Sequence, residues 1–233
     1  MQLPQDSSNL LPRPGLVTRL MILFFRLLYH SMAWTYDLVA SIVSLGRWKG
    51  WVLAAEALLP GQRVLELGFG PGHLQARLQA SARQVYGLDE SGHMARQAYR
   101  RLAARRANQA PLPRLARGLA QALPYPAASF DSVVATFPTL YIIHPATLAE
   151  IRRVLRPGGR LVVLSAAWHT GRSLPERLMA FIFRITGEVP RDEPRDDGAF
   201  VQPYEQAGFA AQLKWVDVPG SRLLFIIAAR PAD

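Results

Sequence analysis

Residues 64–74 read VLELGFGPGHL: an apolar run meets Glu66, and Gly68, Gly70 and Gly72 follow on alternate positions. Glycine reaches backbone angles closed to other residues and lets a ligand lie against the main chain. A helix beginning near Pro71 would aim its free N–H groups at the same place. The spacing is not G-x-G-x-x-G, because the third glycine comes one residue early and His73 stands where that fingerprint has glycine. A dinucleotide pyrophosphate clamp is therefore disfavoured. Glu66 needs a partner, since an acid at the end of a buried strand is costly alone. A ligand carrying a cation would supply one. Asp89 closes the strand-like segment QVYGLD. There it could take two ribose hydroxyls as a bidentate acceptor, or it could cap the helix expected near Ser91.

The elements that must position these acids follow from the pattern. After residue 60, strand-like runs (RVLELG, QVYGLD, PRLARG, SFDSVVATF, RLVVLSAAW) alternate with helix-like ones (PGHLQARLQASA, SGHMARQAYRRLAARRANQ, ATLAEIRRVL, SLPERLMAFIFRI). Such alternation predicts a parallel sheet covered on both faces. The end of the chain, AQLKWVDVPGSRLLFIIAA, reads as two strands joined at Pro219-Gly220, which adds one antiparallel strand. Arg156-Pro157-Gly158-Gly159 reads as a helix stop. Residues 186–198 form a charged, Pro-rich stretch, either a lid or a solvated connector. Residues 1–60 do not fit the alternation and read as a loose tip followed by helix over 16–45 and 47–58. The expected division is a helical cap at the substrate access, 1–60, and a catalytic domain, 61–233.

The chain has 233 residues, half of them apolar, enough for one sizeable core. It has no cysteine, so disulfides and thiolate metal sites are excluded, which fits a reducing cytoplasmic setting; no metal site is expected. The net charge is +10, carried by arginine except for Lys49 and Lys214. This fits nucleic acid, an anionic membrane surface, or simply an Arg-rich solvated surface.

The motif E-x-G-x-G-x-G, the acid closing the next strand, ALPYPAASFDSVV and IRRVLRPGGRLVV together resemble a class I S-adenosylmethionine-dependent methyltransferase over residues 61–233. The resemblance implies an α/β, Rossmann-like seven-stranded, mostly parallel sheet with one antiparallel strand, helices on both faces and an N-terminal helical cap. It implies S-adenosyl-L-methionine as cofactor. Glu66, Gly68, Gly70 and Gly72 would line its methionine and ribose part, Asp89 would hold the ribose, Met94 would pack on adenine, and Ala120 and Gln121 would meet the adenine edge. Phe69, Glu90 and Thr136 complete the expected contacts. Leu119 departs from the pattern, because many relatives carry Asp there. HSMAWTYDLVASIVSLGRWKGWV resembles the matching region of the ubiquinone/menaquinone C-methyltransferases, in which the tyrosine corresponding to Tyr36 closes over the cofactor.

Methyl transfer from a sulfonium is an in-line displacement whose donor is already activated, so alignment matters more than acid–base chemistry. The acceptor is expected beyond the fourth strand, where Phe137, Tyr141 and His144 lie, with Trp168 and His169 after the fifth. This wall suits an apolar, ring-shaped acceptor, quinone-like or lipid-like. Tyr141, His144 and His169 are the candidate catalytic groups, although His144 before Pro145 also fits a turn. Thr136-Phe137-Pro138-Thr139 is not the Asn/Asp-Pro-Pro-Tyr/Phe turn of amino-group methylases, which argues against a nucleic-acid partner. Two alternatives stand beside this reading: an rRNA or tRNA methyltransferase, and a non-catalytic, cofactor-binding, membrane-associated protein. In LVTRLMILFFRLLY, Arg19 and Arg26 share one face of an otherwise apolar helix. Residues 16–30 then either lie on an anionic membrane surface or pack over the cleft. Monomer and homodimer are both open.

Overall fold

Strand segments rich in Val, Leu and Ile, separated by short amphipathic helices, assemble as that pattern demands. In the computed structural model, which describes residues 44–81, 83–104, 113–170 and 198–232, seven strands form one sheet. They are β1 (Arg63–Leu67), β2 (Gln84–Asp89), β3 (Arg114–Arg117), β4 (Phe130–Thr136), β5 (Leu155–His169), β6 (Ala210–Val218) and β7 (Ser221–Ala229). The described helices are α1 (Trp48–Ala54), α2 (His73–Ala80), α3 (Gly92–Ala104), α4 (Pro145–Val154) and α5 (Gly198–Gln206). The sheet order is β3-β2-β1-β4-β5-β7-β6. β1 to β5 pair in parallel, and β7 runs antiparallel to both β5 and β6. The expected Rossmann-like sheet with one antiparallel strand is the fold found.

Two buried clusters fill the two faces. Leu65, Leu67, Val133 and Leu161 meet Leu148 and Ile151 of α4 and Tyr204 of α5 on one side. Val64, Val134, Val162 and Phe225 meet Trp51 and Val52 of α1 and Leu74 and Leu78 of α2 on the other. The period-two alternation of a strand makes this sorting: Leu65 and Leu67 face α4, while Val64 and Glu66 face α2. Among the described residues of 1–60, Trp51, Val52, Ala55 and Leu59 share that second cluster with the sheet.

Three details depart from the expected pattern. The stop Arg156–Gly159 is drawn into β5, where the β4–β5 register shifts between Phe130 and Ser132. Gly158 takes the left-handed angle this needs, with φ 75°. Leu140–Ile143 forms a 3₁₀ turn after β4. Finally, α5 follows the charged stretch although it contains Pro203. Val201 and Tyr204, three apart, bury one face and hold it against the sheet. The helix expected over 16–45 lies outside the described residues except for Ser44 and Leu45, which form a turn with Leu45 at φ 52°. The helix expected in SLPERLMAFIFRI, and the candidate lid apart from Gly198, also lie outside them.

Candidate functional site

Parallel strands β1 to β5 point their carboxyl ends to one edge, and the chain runs from β1 out to β2 and β3 on one side, then crosses to β4 on the other. That reversal opens a crevice at the strand ends. It holds a cleft of about 390 Å³. The turn after β1 forms its floor. Gly68, Gly70 and Gly72 have φ of 67°, 49° and 79°, all in the region that favours glycine. They serve different ends. A Cβ on Gly68 would lie 2.9 Å from the Tyr141 hydroxyl oxygen, and one on Gly70 would project into open space. A Cβ on Gly72 would lie 2.9 Å from the Ala98 Cβ. Gly72 therefore lets α2 approach α3, and it is absent from the cleft lining.

Glu66 is 1 % exposed, and its Oε2 has no hydrogen-bond partner although it sits in the wall of the cleft. Burial pushes its carboxyl up to about 8; the Gln75 amide opposes this and the nearby Asp89 charge adds to it. The Asp89 carboxylate accepts the Gly70 N–H at 2.9 Å and the Ser91 N–H at 2.8 Å. Burial raises its pKa as well, against those two hydrogen bonds. The helix-capping task falls instead to Ser91, whose hydroxyl accepts the Met94 N–H at 3.3 Å. Each Asp89 oxygen retains a second acceptor site, and Asp89 lines the cleft.

Glu66, Gly68, Phe69, Gly70, Asp89 and Glu90 come together in the cleft, as do Met94, Ala120, Gln121, Thr136 and Tyr141. The Tyr141 hydroxyl donates to the Leu67 carbonyl at 3.4 Å. Burial pushes its pKa up, and the Asp89 and Glu66 charges push it further, so it stays a donor. The two histidines depart from expectation. His144 is exposed and its Nδ1 accepts the Ala146 N–H at 3.2 Å, so it caps α4. His169 lies 5.3 Å from the Trp51 ring, and its Nδ1 accepts from Arg47 Nη1 at 3.1 Å. Neither lines the cleft. Trp168 also turns away and packs on Trp215 with ring centroids 5.2 Å apart. Tyr36 lies outside the described residues.

Trp48, Val52 and His73 line the cleft without having been expected there. Trp48 stacks on Phe137, with centroids 4.4 Å apart and planes at 25°. Phe137 has φ 49°, an unusual conformation for a bulky side chain that aims its ring at α1. The sequence carried one signal for this wall: Trp48, Trp51 and Val52 fall on one helical face. His73 was visible only as a departure from the dinucleotide fingerprint.

Residues 65–163 match the methyltransferase domain family. A demethylmenaquinone methyltransferase of Mycobacterium sp. (strain KMS) is 30% identical over 223 residues, covering 88% of this chain and 93% of that protein. A ubiquinone/menaquinone biosynthesis C-methyltransferase of Cupriavidus metallidurans is 32% identical, covering 77% and 82%. Among solved structures, the Haemonchus contortus phosphoethanolamine N-methyltransferase 2, crystallised with S-adenosylhomocysteine, superposes with a TM-score of 0.54 at 18% identity. It covers 80% of this chain and 53% of that one, and shares the fold.

Proposed function

The chain belongs to the demethylmenaquinone and ubiquinone/menaquinone C-methyltransferase family and is an S-adenosylmethionine-dependent methyltransferase; on that premise we propose that it methylates a lipophilic, quinone-like or lipid-like small molecule by in-line displacement. The observation that carries the site assignment is the buried Glu66 Oε2, an acceptor without a partner in the wall of a cleft beside a second acid. A ligand with an ammonium group and a ribose fits that pair. Glu66 would take the ammonium end, and the spare acceptor sites of Asp89 would take the ribose hydroxyls. Met94, Ala120 and Gln121 would frame the adenine. With Leu119 in place of the acid many relatives carry, adenine recognition leans on the main chain there.

When bound, the cofactor supplies a methyl group on a positively charged sulfur. The rest is positioning by this chain. Oriented encounter of that kind can lower a barrier by up to ~7–11 kcal/mol. Trp48 and Phe137 present apolar faces on the side where an acceptor would lie, and the Tyr141 hydroxyl, its proton given to the Leu67 carbonyl, offers a fixed oxygen. No base is required unless the acceptor must lose a proton. We assign neither histidine that role: both stand outside the cleft lining and each has its Nδ1 engaged. Residues 16–30, outside the described residues, would contact an anionic bilayer, on the strength of their sequence pattern alone.

The test is transfer of labelled methyl from S-adenosylmethionine to demethylmenaquinol by the purified full chain. Label on a ring carbon of the quinol supports the reading. Label on a quinol oxygen would keep the acceptor but move the methylated atom off carbon; label in added RNA with none in the quinol rejects the reading.

A further inference from the structure

The carboxyl edge of the sheet carries more than the cleft. In the 3₁₀ turn after β4, side chains three apart eclipse one another. Tyr141 and Ile142 turn inward, while Leu140 and Ile143 share the outward face and are 80% and 37% exposed. Leu140 stands between two cleft-lining residues, Thr139 and Tyr141. Across the mouth, Leu119 after β3 lines the cleft and is 54% exposed. Of the four large exposed apolar side chains among the described residues, Leu119 and Leu140 thus border one opening and Ile143 shares the outward face of Leu140's turn; Tyr99 on α3 is the other. Exposed apolar groups gathered at one place mark a contact site, whereas scattered ones do not.

Basic groups flank this rim. The guanidinium groups of Arg96 and Arg117 converge at the start of α3, where a Cβ on Gly92 would lie 3.6 Å from Nη1 of each. Arg117 Nε donates to the main-chain carbonyl of Glu90 at 2.9 Å, and Glu90 lines the cleft. Lys49 is exposed beside the cleft-lining Trp48. Among the described residues Glu90 is an exposed carboxylate beside Arg117, and farther along Asp217 and Arg222 pair at 3.7 Å. Aliphatic side chains between long basic ones suit an anionic headgroup layer, the former entering the acyl boundary and the latter meeting phosphates. The chain's charge of +10 acts in the same direction.

We propose that the rim formed by Leu119, Leu140 and Ile143, flanked by Lys49, Arg96 and Arg117, docks on an anionic lipid bilayer, so that a membrane-dissolved acceptor reaches the cleft without crossing water. The purpose of the contact rests on the lipophilic-acceptor reading above; the contact itself does not.

Flotation of the full chain with phosphatidylglycerol–phosphatidylcholine vesicles, against phosphatidylcholine alone, tests it. The wild type floats with the anionic vesicles. Leu140→Asp with Ile143→Asp lowers the partition coefficient at least ~10-fold, and Arg96→Gln lowers it about 5-fold. Affinity for S-adenosylhomocysteine is unchanged in all variants. Leu140→Asp alone, at the more exposed position, decides the case if the double variant misfolds. Three outcomes overturn the proposal: no flotation of the wild type, equal recovery with neutral vesicles, or unaltered flotation of Leu140→Asp. A dimer that Leu140→Asp splits in sedimentation, with no lipid binding, would assign the rim to a second copy of the chain instead. Wild-type flotation without methylation of demethylmenaquinol would leave the surface standing and remove the acceptor reading.

Discussion

Glu66 shows how one side chain couples binding to protons. Its ordinary value is 4.5, and burial holds it near 8 in the folded chain. A folded-state value above the unfolded one means that folding favours the protonated acid. That contribution is complete below the unfolded value and is lost as pH rises through the folded one. Ligand-free stability should therefore decline from about pH 5 to about pH 8 more steeply than in Glu66→Gln, as followed by denaturant unfolding across pH. A cation seated against Glu66 draws out the carboxylate, so cofactor binding near neutral pH should release a proton. Binding enthalpies measured in buffers of different ionisation heat would differ accordingly, and Glu66→Gln should erase the difference. Asp89 both orders the glycine turn through the Gly70 N–H and offers its remaining acceptor sites. Losing charge-assisted hydrogen bonds worth ~1.5–3 kcal/mol each, Asp89→Ala should bind S-adenosylhomocysteine at least ~10-fold more weakly by calorimetry. An unchanged affinity would remove the assigned ribose contact.

At the scale of the element, the turn between β1 and α2 combines two requirements that substitution can separate. Gly72→Ala places a Cβ 2.9 Å from Ala98 at φ 79°, so it should cost ~1–3 kcal/mol. For a chain of this size that lowers Tm by roughly 2–12 °C. Gly70→Ala meets no atom within 4 Å but would crowd the cleft, so it should weaken cofactor binding more than it weakens the fold. The start of α4 depends on His144. Replacing it by alanine removes an N-cap worth ~0.5–2 kcal/mol and should leave methyl transfer intact at every pH. A collapse of turnover in a folded His144→Ala protein would return that imidazole to the chemistry.

Across the whole molecule, site and core are continuous. The wall of the cleft is the end of the cluster in which Trp51 and Val52 of α1 meet Val64 and Val134 of the sheet. Occupying the cleft should therefore stabilise the entire fold. At a hundredfold excess over Kd, S-adenosylhomocysteine adds about 2.7 kcal/mol, a Tm rise of roughly 5–11 °C. A second, earlier transition that ignores the ligand would show that α1 melts apart from the sheet.

The alternation of apolar runs and amphipathic helices determined the sheet and its single antiparallel strand, because periodicity is a local record of which face is buried. The spacing of Glu66, the first two glycines and Asp89 likewise located the corner where the cleft opens: each sits at or just past a strand end, and strand ends of a parallel sheet share an edge. Tertiary structure alone decided the rest. Whether α5 could form despite Pro203 depended on a sheet face to cover Tyr204. Gly72 went to helix packing because α3 crosses there, and the expected histidines went to a cap and to Arg47. Trp48 reached the cleft because Phe137 folds back to meet it. Such outcomes turn on which distant side chain arrives alongside, and spacing along the chain carries no record of that.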